Sequence, residues 1–400
     1  MNLSREYERS HSHITFGLDL RAAPPSLWAQ LGEAKSKSQH VARALLSPTI
    51  ARELMEVYLA KGVLATTAIE GNTLSEDEVR DILEGRLQLP PSREYLQTEI
   101  ENVIAAYNES YGQIVAEPDK PLTVAWLERF NELILDGLEL EDGVVPGELR
   151  TSSVVVGTYR AAPARNCEYL LERLCEWLNG SDFEAPSETP ELAAPLAIVK
   201  AIIGHLYIAW IHPFGDGNGR TARLLELQIL IRAGFPAPAC QLLSNHYNLT
   251  RSAYSRQLDS SSRAHDEISF LNYATQGLID QLREQLGFIR LQQLADRWEQ
   301  FVYQTFGGGL SESGHRRLRV VLAVSRTFQE TGEPVLRSDV PTLTAELAGA
   351  YSSKTQKTLT RDLNAIAELG LIHHEGRGLF PADEKIRLLE PEVKDGVLFP

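Results

Sequence analysis

From Leu192 to Ile211 the chain is almost continuously apolar. It then breaks into the run His212-Pro213-Phe214-Gly215-Asp216-Gly217-Asn218-Gly219-Arg220-Thr221-Ala222-Arg223. A stretch that long and apolar has two uses, a membrane span or the central helix of a core. Lys200 and His205 interrupt it, and it leads straight into the polar run, so a buried core helix is expected rather than a span. Pro213 cannot continue a helix and ends it. From Gly219 to Ala233 apolar residues return at helical spacing, with Leu224, Leu227, Leu230 and Ile231 on one side. A glycine-rich loop is therefore expected between two helices, at the N-terminus of the second.

That placement carries chemistry. Gly215, Gly217 and Gly219 let the backbone turn sharply and bring its N–H groups near an anion. Free N–H groups and the macrodipole at a helix N-terminus favour phosphate. Arg220 and Arg223 are three apart, hence neighbours on one helical face, and guanidinium forks match phosphate oxygens. Asp216 is a hard oxygen ligand of the kind Mg²⁺ takes beside phosphate. His212, neutral near pH 7, can accept a proton from a hydroxyl. Phe214 is the one apolar side chain between Pro213 and Ala222 and is expected to pin the loop to the core. Each feature alone is ordinary; no core or cap calls for all of them in this order.

The run resembles the signature of the Fic family, His-Pro-Phe-x-Asp/Glu-Gly-Asn-Gly-Arg-x-x-Arg, at every specified position. The resemblance implies transfer of AMP from ATP to a hydroxyl side chain of a protein. It implies His212 as the base, Asp216 as the Mg²⁺ ligand, and Asn218 with the loop N–H groups as a phosphate cradle. Arg220 would hold the β-phosphate and Arg223 the γ-phosphate. Phosphate-transferring toxins of the family carry Lys where this chain keeps Gly219, which favours nucleotidyl transfer here.

A second signature lies upstream. Ser47-Pro48 is an N-cap followed by proline at the first helical position, and the helix it opens is expected to run to Ile69. Glu70 falls in the last turn, where the dipole disfavours an anion by several tenths of a kcal/mol. Gly71 suits the left-handed residue beyond the end. Thr66, Glu70 and Gly71 resemble the Fic inhibitory motif, Ser/Thr-x-x-x-Glu-Gly/Asn. The resemblance implies that Glu70 pairs with Arg223 and blocks the γ-phosphate site. In some members the same Glu supports removal of AMP, so the reverse reaction stays open.

Val145 to Arg150 and Ser153 to Gly157 read as a hairpin, with turn residues flanking the β-branched run Val154, Val155, Val156. It resembles the family's flap, which receives the target segment by strand addition. Asn248 and Tyr254 are the candidates for the adenine side of the site, again by resemblance.

The expected fold is mostly α: a Fic-type helical core with a small β-hairpin flap, and a C-terminal winged helix-turn-helix domain. Residues up to about Pro25 are expected to be partly extended. Residues 1–110 would hold the inhibitory motif, 111–305 the catalytic core, 306–314 a Gly-rich linker and 315–400 the winged helix. Ser75 and Glu78 form a capping box. Beyond the linker, helices are expected at 316–330, 342–350 and 352–369, the last ended by Gly370. Two short strands then flank Gly376. Lys354, Lys357 and Arg361 share a face of the third helix, a candidate for DNA or a protein partner. The net charge of −15 favours the protein partner slightly. Adjacent His373 and His374 read as surface rather than metal ligands.

Cys167, Cys175 and Cys240 form no paired framework and no metal spacing, which suggests a reducing compartment. With no apolar leader after Met1, a cytoplasmic protein is expected. The leading expectation is an autoinhibited protein adenylyltransferase that uses ATP and Mg²⁺, with a protein, and in self-modification this chain, as acceptor. The alternatives are an enzyme removing AMP and a nucleotide-sensing DNA-binding regulator. Homodimer formation is left open, and no membrane partner is expected.

Overall fold

The apolar stretch forms the helix Ala193–Ile211, entered through a 3-10 turn at Pro190–Leu192. From Pro195 onward it is buried on nearly every face, only Lys200 and Ala209 reaching partial exposure. Pro190–Ile211 is long and apolar enough to cross a membrane, but its apolar surface is covered by neighbouring helices. The computed structural model describes residues 5–383, divided between two units, Met1–Gly287 and Phe288–Pro400.

In the first unit the central helix packs against the loop-following helix Asn218–Arg232 and against Pro25–Ala42 and Cys167–Leu178. Gly204 makes the first contact close: a Cβ there would lie 3.3 Å from Leu225 and from Leu178. The helix Pro48–Ile69 starts as its sequence predicts, with Ser47 Oγ accepting from Ile50 N. It packs on Leu242–Leu249 so tightly that a Cβ at Gly62 would overlap Gln241. The capping box of Ser75 and Glu78 opens Glu76–Leu83. Glu94–Ala116 and Val124–Leu135 complete the shell against the loop-following helix.

Four expectations need correction. The two-stranded hairpin is Val155–Val156 paired with Tyr159–Arg160, not 145–150 with 153–157. The earlier segment instead follows turns, and its Leu149 forms an isolated bridge with Phe214. Residues before Pro25 are not merely extended: Tyr7, His11, His13 and Ile14 are buried. His11 Nε2 bonds Arg160 O at 2.9 Å and His13 Nε2 bonds Tyr159 Oη at 3.2 Å, so this segment props the hairpin. Finally, residues 1–110 and 111–287 form one unit, and the boundary lies inside the helix Glu267–Phe306 rather than in the Gly-rich 306–314. Apolar positions continue through Trp298 and Val302, both buried, so the helix has no reason to stop at the boundary.

The second unit contains Glu312–Thr331, then Ala345–Tyr351 and Gln356–Glu368, then a hairpin of Ile372–Glu375 with Gly378–Pro381. This is the expected helix, helix, helix, hairpin succession. A third strand, Val335–Leu336, went unread because two residues carry no period. It pairs with Gly378–Pro381, which becomes the middle strand. Gly370 and Gly376 take the positive φ that the turns require. The expected domain, 315–400, extends beyond residue 383, outside the described residues.

Candidate active site

His212 ends the central helix in the left-handed conformation, φ 51°, a strain of about 1 kcal/mol for a residue with a Cβ. The strain is held by its surroundings. His212 N donates to Ile208 O at 2.8 Å, and His212 O accepts from Arg150 Nε at 2.6 Å. Arg150 also donates to Ser152 O, Ala162 O and Ile211 O, and its backbone N to Pro213 O. One buried guanidinium thus satisfies the carbonyls at the negative end of the central helix and ties them to the segment before the hairpin. The imidazole is only partly exposed and bonds the backbone of Ala209. Burial, followed by the Arg150 cation, pushes its pKa down to about 4. At neutral pH the ring is uncharged, so with one nitrogen engaged at Ala209 the other is left to accept a proton.

The loop is built by side chains the sequence reading assigned otherwise or did not single out. Asn218 is 3% exposed; its Oδ1 accepts from Phe214 N and its Nδ2 donates to Phe214 O, both at 2.9 Å. Both ends of the amide are engaged by Phe214, so Asn218 braces the loop, and its second N–H is not spent on Phe214. Asn131, fully buried, donates to Asp216 O at 2.8 Å and accepts from Gly147 N at 3.0 Å. Nothing in the sequence around Asn131 signals that role. Gly217 has φ 75°, and a Cβ there would lie 2.9 Å from Asn131 Nδ2. Phe214 is wholly buried, as its isolation in the run predicts. The helix begins at Asn218, one residue before Gly219.

Arg220 and Arg223 are both buried, at 5% and 2% exposure. Arg220 Nε and Nη1 have no hydrogen-bond partner among the described residues. Glu99 and Asp216 carboxylate oxygens stand off from Arg220 at 3.6 and 3.5 Å. A buried guanidinium so poorly satisfied is costly unless an anion completes it. Asp216 is half exposed, and its Oδ1 accepts from Gly217 N.

Arg223 is met by the upstream motif. Its Nε donates to Thr66 Oγ1 at 2.8 Å, and its Nη2 to Thr66 O at 3.0 Å and to Glu70 Oε1 at 2.5 Å. Glu70 is the C-cap of its helix, and Gly71 follows with φ 110°. Burial would raise the Glu70 pKa, but Arg223, Arg220 and His212 outweigh it and hold the carboxyl below the usual range. The carboxylate fills the space at Gly219: a Cβ there would come within 2.4 Å of Glu70 Oε1. A side chain at this position would displace the Glu70 carboxylate and with it the Glu70–Arg223 contact.

The two adenine candidates lie in different surroundings. Tyr254 is 6% exposed, stacks on Tyr247 at 4.7 Å, and bonds His205 Nε2 at 2.8 Å. It belongs to a buried polar network that reaches Glu226 through His205 and Tyr247 and lies against Arg223. Its ring has no open face for a base. Asn248, partly exposed, accepts from Arg251 Nη2 at 2.8 Å near the end of its helix. On the hairpin, Val155 and Val156 are exposed, and Val154 is partly buried with its carbonyl paired to Ala161 N.

Residues 121–230 match the family described as Fic/DOC. The chain is 33% identical over 194 residues to "Protein adenylyltransferase fic-1" of Caenorhabditis briggsae, covering 48% of this chain and 35% of that protein. The match to the Caenorhabditis elegans protein of the same name is 31% over 226 residues, covering 55% and 42%. The chain thus spans well under half the length of these curated relatives. Among solved structures, a segment of Fic-1 from C. elegans aligns with a TM-score of 0.55 at 24% identity, covering 66% of this chain and 73% of that one. A Fic family protein from Desulfovibrio desulfuricans G20 aligns with a TM-score of 0.53 at 22% identity, covering 89% and 94%. These two share the fold.

Proposed function

We propose that the chain, whose residues 121–230 match the Fic/DOC family, is a protein adenylyltransferase restrained by its own Glu70. The observation that carries this reading is the contrast between the two arginines. Arg220 is buried with two nitrogens unbonded, and Arg223 is clamped by a carboxylate from another helix. Both sit in the first turns of the loop-following helix, where N–H groups and dipole favour polyphosphate. ATP would complete Arg220 and compete with Glu70 for Arg223.

In the transfer, the acceptor hydroxyl oxygen bonds to the α-phosphorus of ATP and its proton passes to His212. The bond from the α-phosphorus to the bridging oxygen breaks, and pyrophosphate leaves. The uncharged imidazole is already in the accepting form, and arriving phosphate charge would raise its basicity. Asp216, a half-exposed carboxylate beside Arg220, suits a hard cation and would hold Mg²⁺ together with phosphate oxygens. When bound, Mg²⁺ neutralises phosphate charge. Arg150 and Asn218 keep the loop rigid, so the groups need no reorganisation on binding. Among the described residues Val155–Val156 pairs on one edge only, with Tyr159–Arg160, so its other edge suits an extended acceptor segment.

The test uses Glu70→Gly as background. Adding His212→Ala should abolish transfer of labelled AMP to protein while the rise in melting temperature with ATP and Mg²⁺ remains. Transfer surviving in the double variant would remove His212 as the base.

A further inference from the structure

The helix Gln356–Glu368 carries a face that the nucleotide site does not use. Its inward stripe is Leu359, Leu363 and Ile366, all buried. Outward, Lys357, Arg361 and Asn364 follow at i, i+4 and i+7 and are all exposed, as are Lys354 and Gln356 at the helix entrance. From Ser352 to Ala367 the one acidic residue is Asp362. It is turned inward at 1% exposure, accepting from Arg316 Nε at 2.7 Å, Arg317 Nε at 2.9 Å and Tyr351 Oη at 3.0 Å. Burial opposes its charge, but these three donors hold its carboxyl below the ordinary range. The only anion of Ser352 to Ala367 is therefore neutralised from behind, and the opening turns present three cations with no carboxylate beside them; the exposed Glu368 follows on the same face at the last residue of the helix, away from those turns. Glu312, 3.8 Å from Lys354, is itself 87% exposed and screened by solvent.

Further cations frame this helix. Arg337 donates to Thr360 Oγ1. Arg377 is exposed in the turn of the hairpin, whose exposed strand residues His373, His374 and Glu375 carry one acid. The spacing of cations and amides on the helix matches what a duplex offers. Lys and Arg neutralise phosphates, Arg reads guanine, and Asn or Gln reads adenine in the major groove. A merely solvated face would mix charge signs, as Glu76, Asp77 and Arg80 do on the helix Glu76–Leu83.

We propose that this unit binds duplex DNA, with the opening turns of Gln356–Glu368 in the major groove and Arg337 and Arg377 on the flanking phosphates. The face, not the whole-chain charge of −15, decides the partner. That overall charge makes binding weak at physiological salt, while the cation–phosphate contacts make it salt-dependent.

The experiment measures fluorescence anisotropy of a labelled mixed-sequence duplex of about 30 base pairs with the full chain. Binding is expected at about 50 mM salt, with a log–log salt slope of about −3 to −5 for the five cations named. Lys357→Ala with Arg361→Ala should weaken it at least about tenfold and flatten the slope by about two. Lys357→Gln with Arg361→Gln repeats the test should the alanine pair lower the melting temperature. No binding by the unmodified chain at low salt overturns the proposal, and so does binding that both double variants retain. Equal competition by polyglutamate would mark the face as a protein-contact surface, and tighter binding of duplex RNA would name another partner; either result overturns it as well.

Discussion

Replacing Glu70 by glycine tests the latch directly. Arg223 is 1% exposed at its side chain and Glu70 33%, with 2.5 Å between Nη2 and Oε1. A charge-assisted hydrogen bond of this kind contributes about 1.5–3 kcal/mol, toward the lower end where solvent reaches one partner. ATP must displace the carboxylate to reach Arg223, so it meets an opposing free energy of that size. The variant should then transfer AMP about 10- to 100-fold faster at subsaturating ATP. Arg223 keeps Thr66 Oγ1 and Thr66 O but loses its anion, so the nucleotide-free variant should also be less stable, by about 1–3 kcal/mol. The two effects share one cause, which makes the pair of measurements sharper than either. Initial rates with labelled ATP give the first; thermal melts with and without ATP and Mg²⁺ give the second. The nucleotide-induced rise in melting temperature should be larger in Glu70→Gly than in the unmodified chain. A less stable variant whose rate is unchanged would refute the reasoning, because the pair would then be structural and would not compete with nucleotide.

The other predictions concern the loop and its base. Asn218→Ala should lower the nucleotide-free stability by about 2–3 kcal/mol, since Phe214 N and O are left buried without partners; an unchanged melt with weakened ATP binding would restore Asn218 as a phosphate ligand. Arg150→Gln should cost about 3 kcal/mol and raise the His212 pKa, read by NMR titration of the imidazole, because the helix-end carbonyls and the repelling cation are lost together. Acid should destabilise the chain through two histidines as pH falls below about 6.5. His212 and His13 both have pKa values pushed down to about 4, so the unfolded chain takes up protons from about pH 6.5 while the folded chain does not. Their contribution is intact above pH 6.5 and is lost as pH falls toward 4, about 2 kcal/mol together at pH 5 after discounting for partial solvation. Urea midpoints at pH 7 and pH 5 check it, and His13→Gln should remove about half of the difference.

What the sequence discloses here follows from how local each signal is. The central helix, the caps at Ser47 and Ser75, and the stop at Gly370 are written in neighbouring residues, and the structure has them within a residue or two. Glu70 and Arg223 are 153 positions apart, and the family resemblance, not spacing, brought them together. The hairpin was displaced because Val155–Val156 and Tyr159–Arg160 are two residues each, too short to show a period of two. The division at Gly287 lies inside the long helix and not in the Gly-rich run, because burial at Trp298 and Val302 keeps the helix going.

Chemical roles are harder to read than elements. Asn218 lies inside a run of phosphate-binding residues, and an amide is equally suited to holding an anion or a backbone turn. Sequence specifies the type of group, but only geometry shows which partner has consumed its donors. Tyr254 is the same kind of case, since its ring is stacked on Tyr247 and its hydroxyl is bonded to His205. Arg150 and Asn131 are the converse: outside the run, without periodicity, yet they satisfy the carbonyls that hold His212 and Asp216 in place. A loop this rich in glycine has little side chain with which to hold its own shape. The residues that fix it must come from elsewhere in the chain, and their polar atoms are then spent on backbone rather than substrate. The groups left for chemistry are those the fold leaves short of partners: the unengaged nitrogen of His212, the half-exposed carboxylate of Asp216, and the unbonded nitrogens of Arg220.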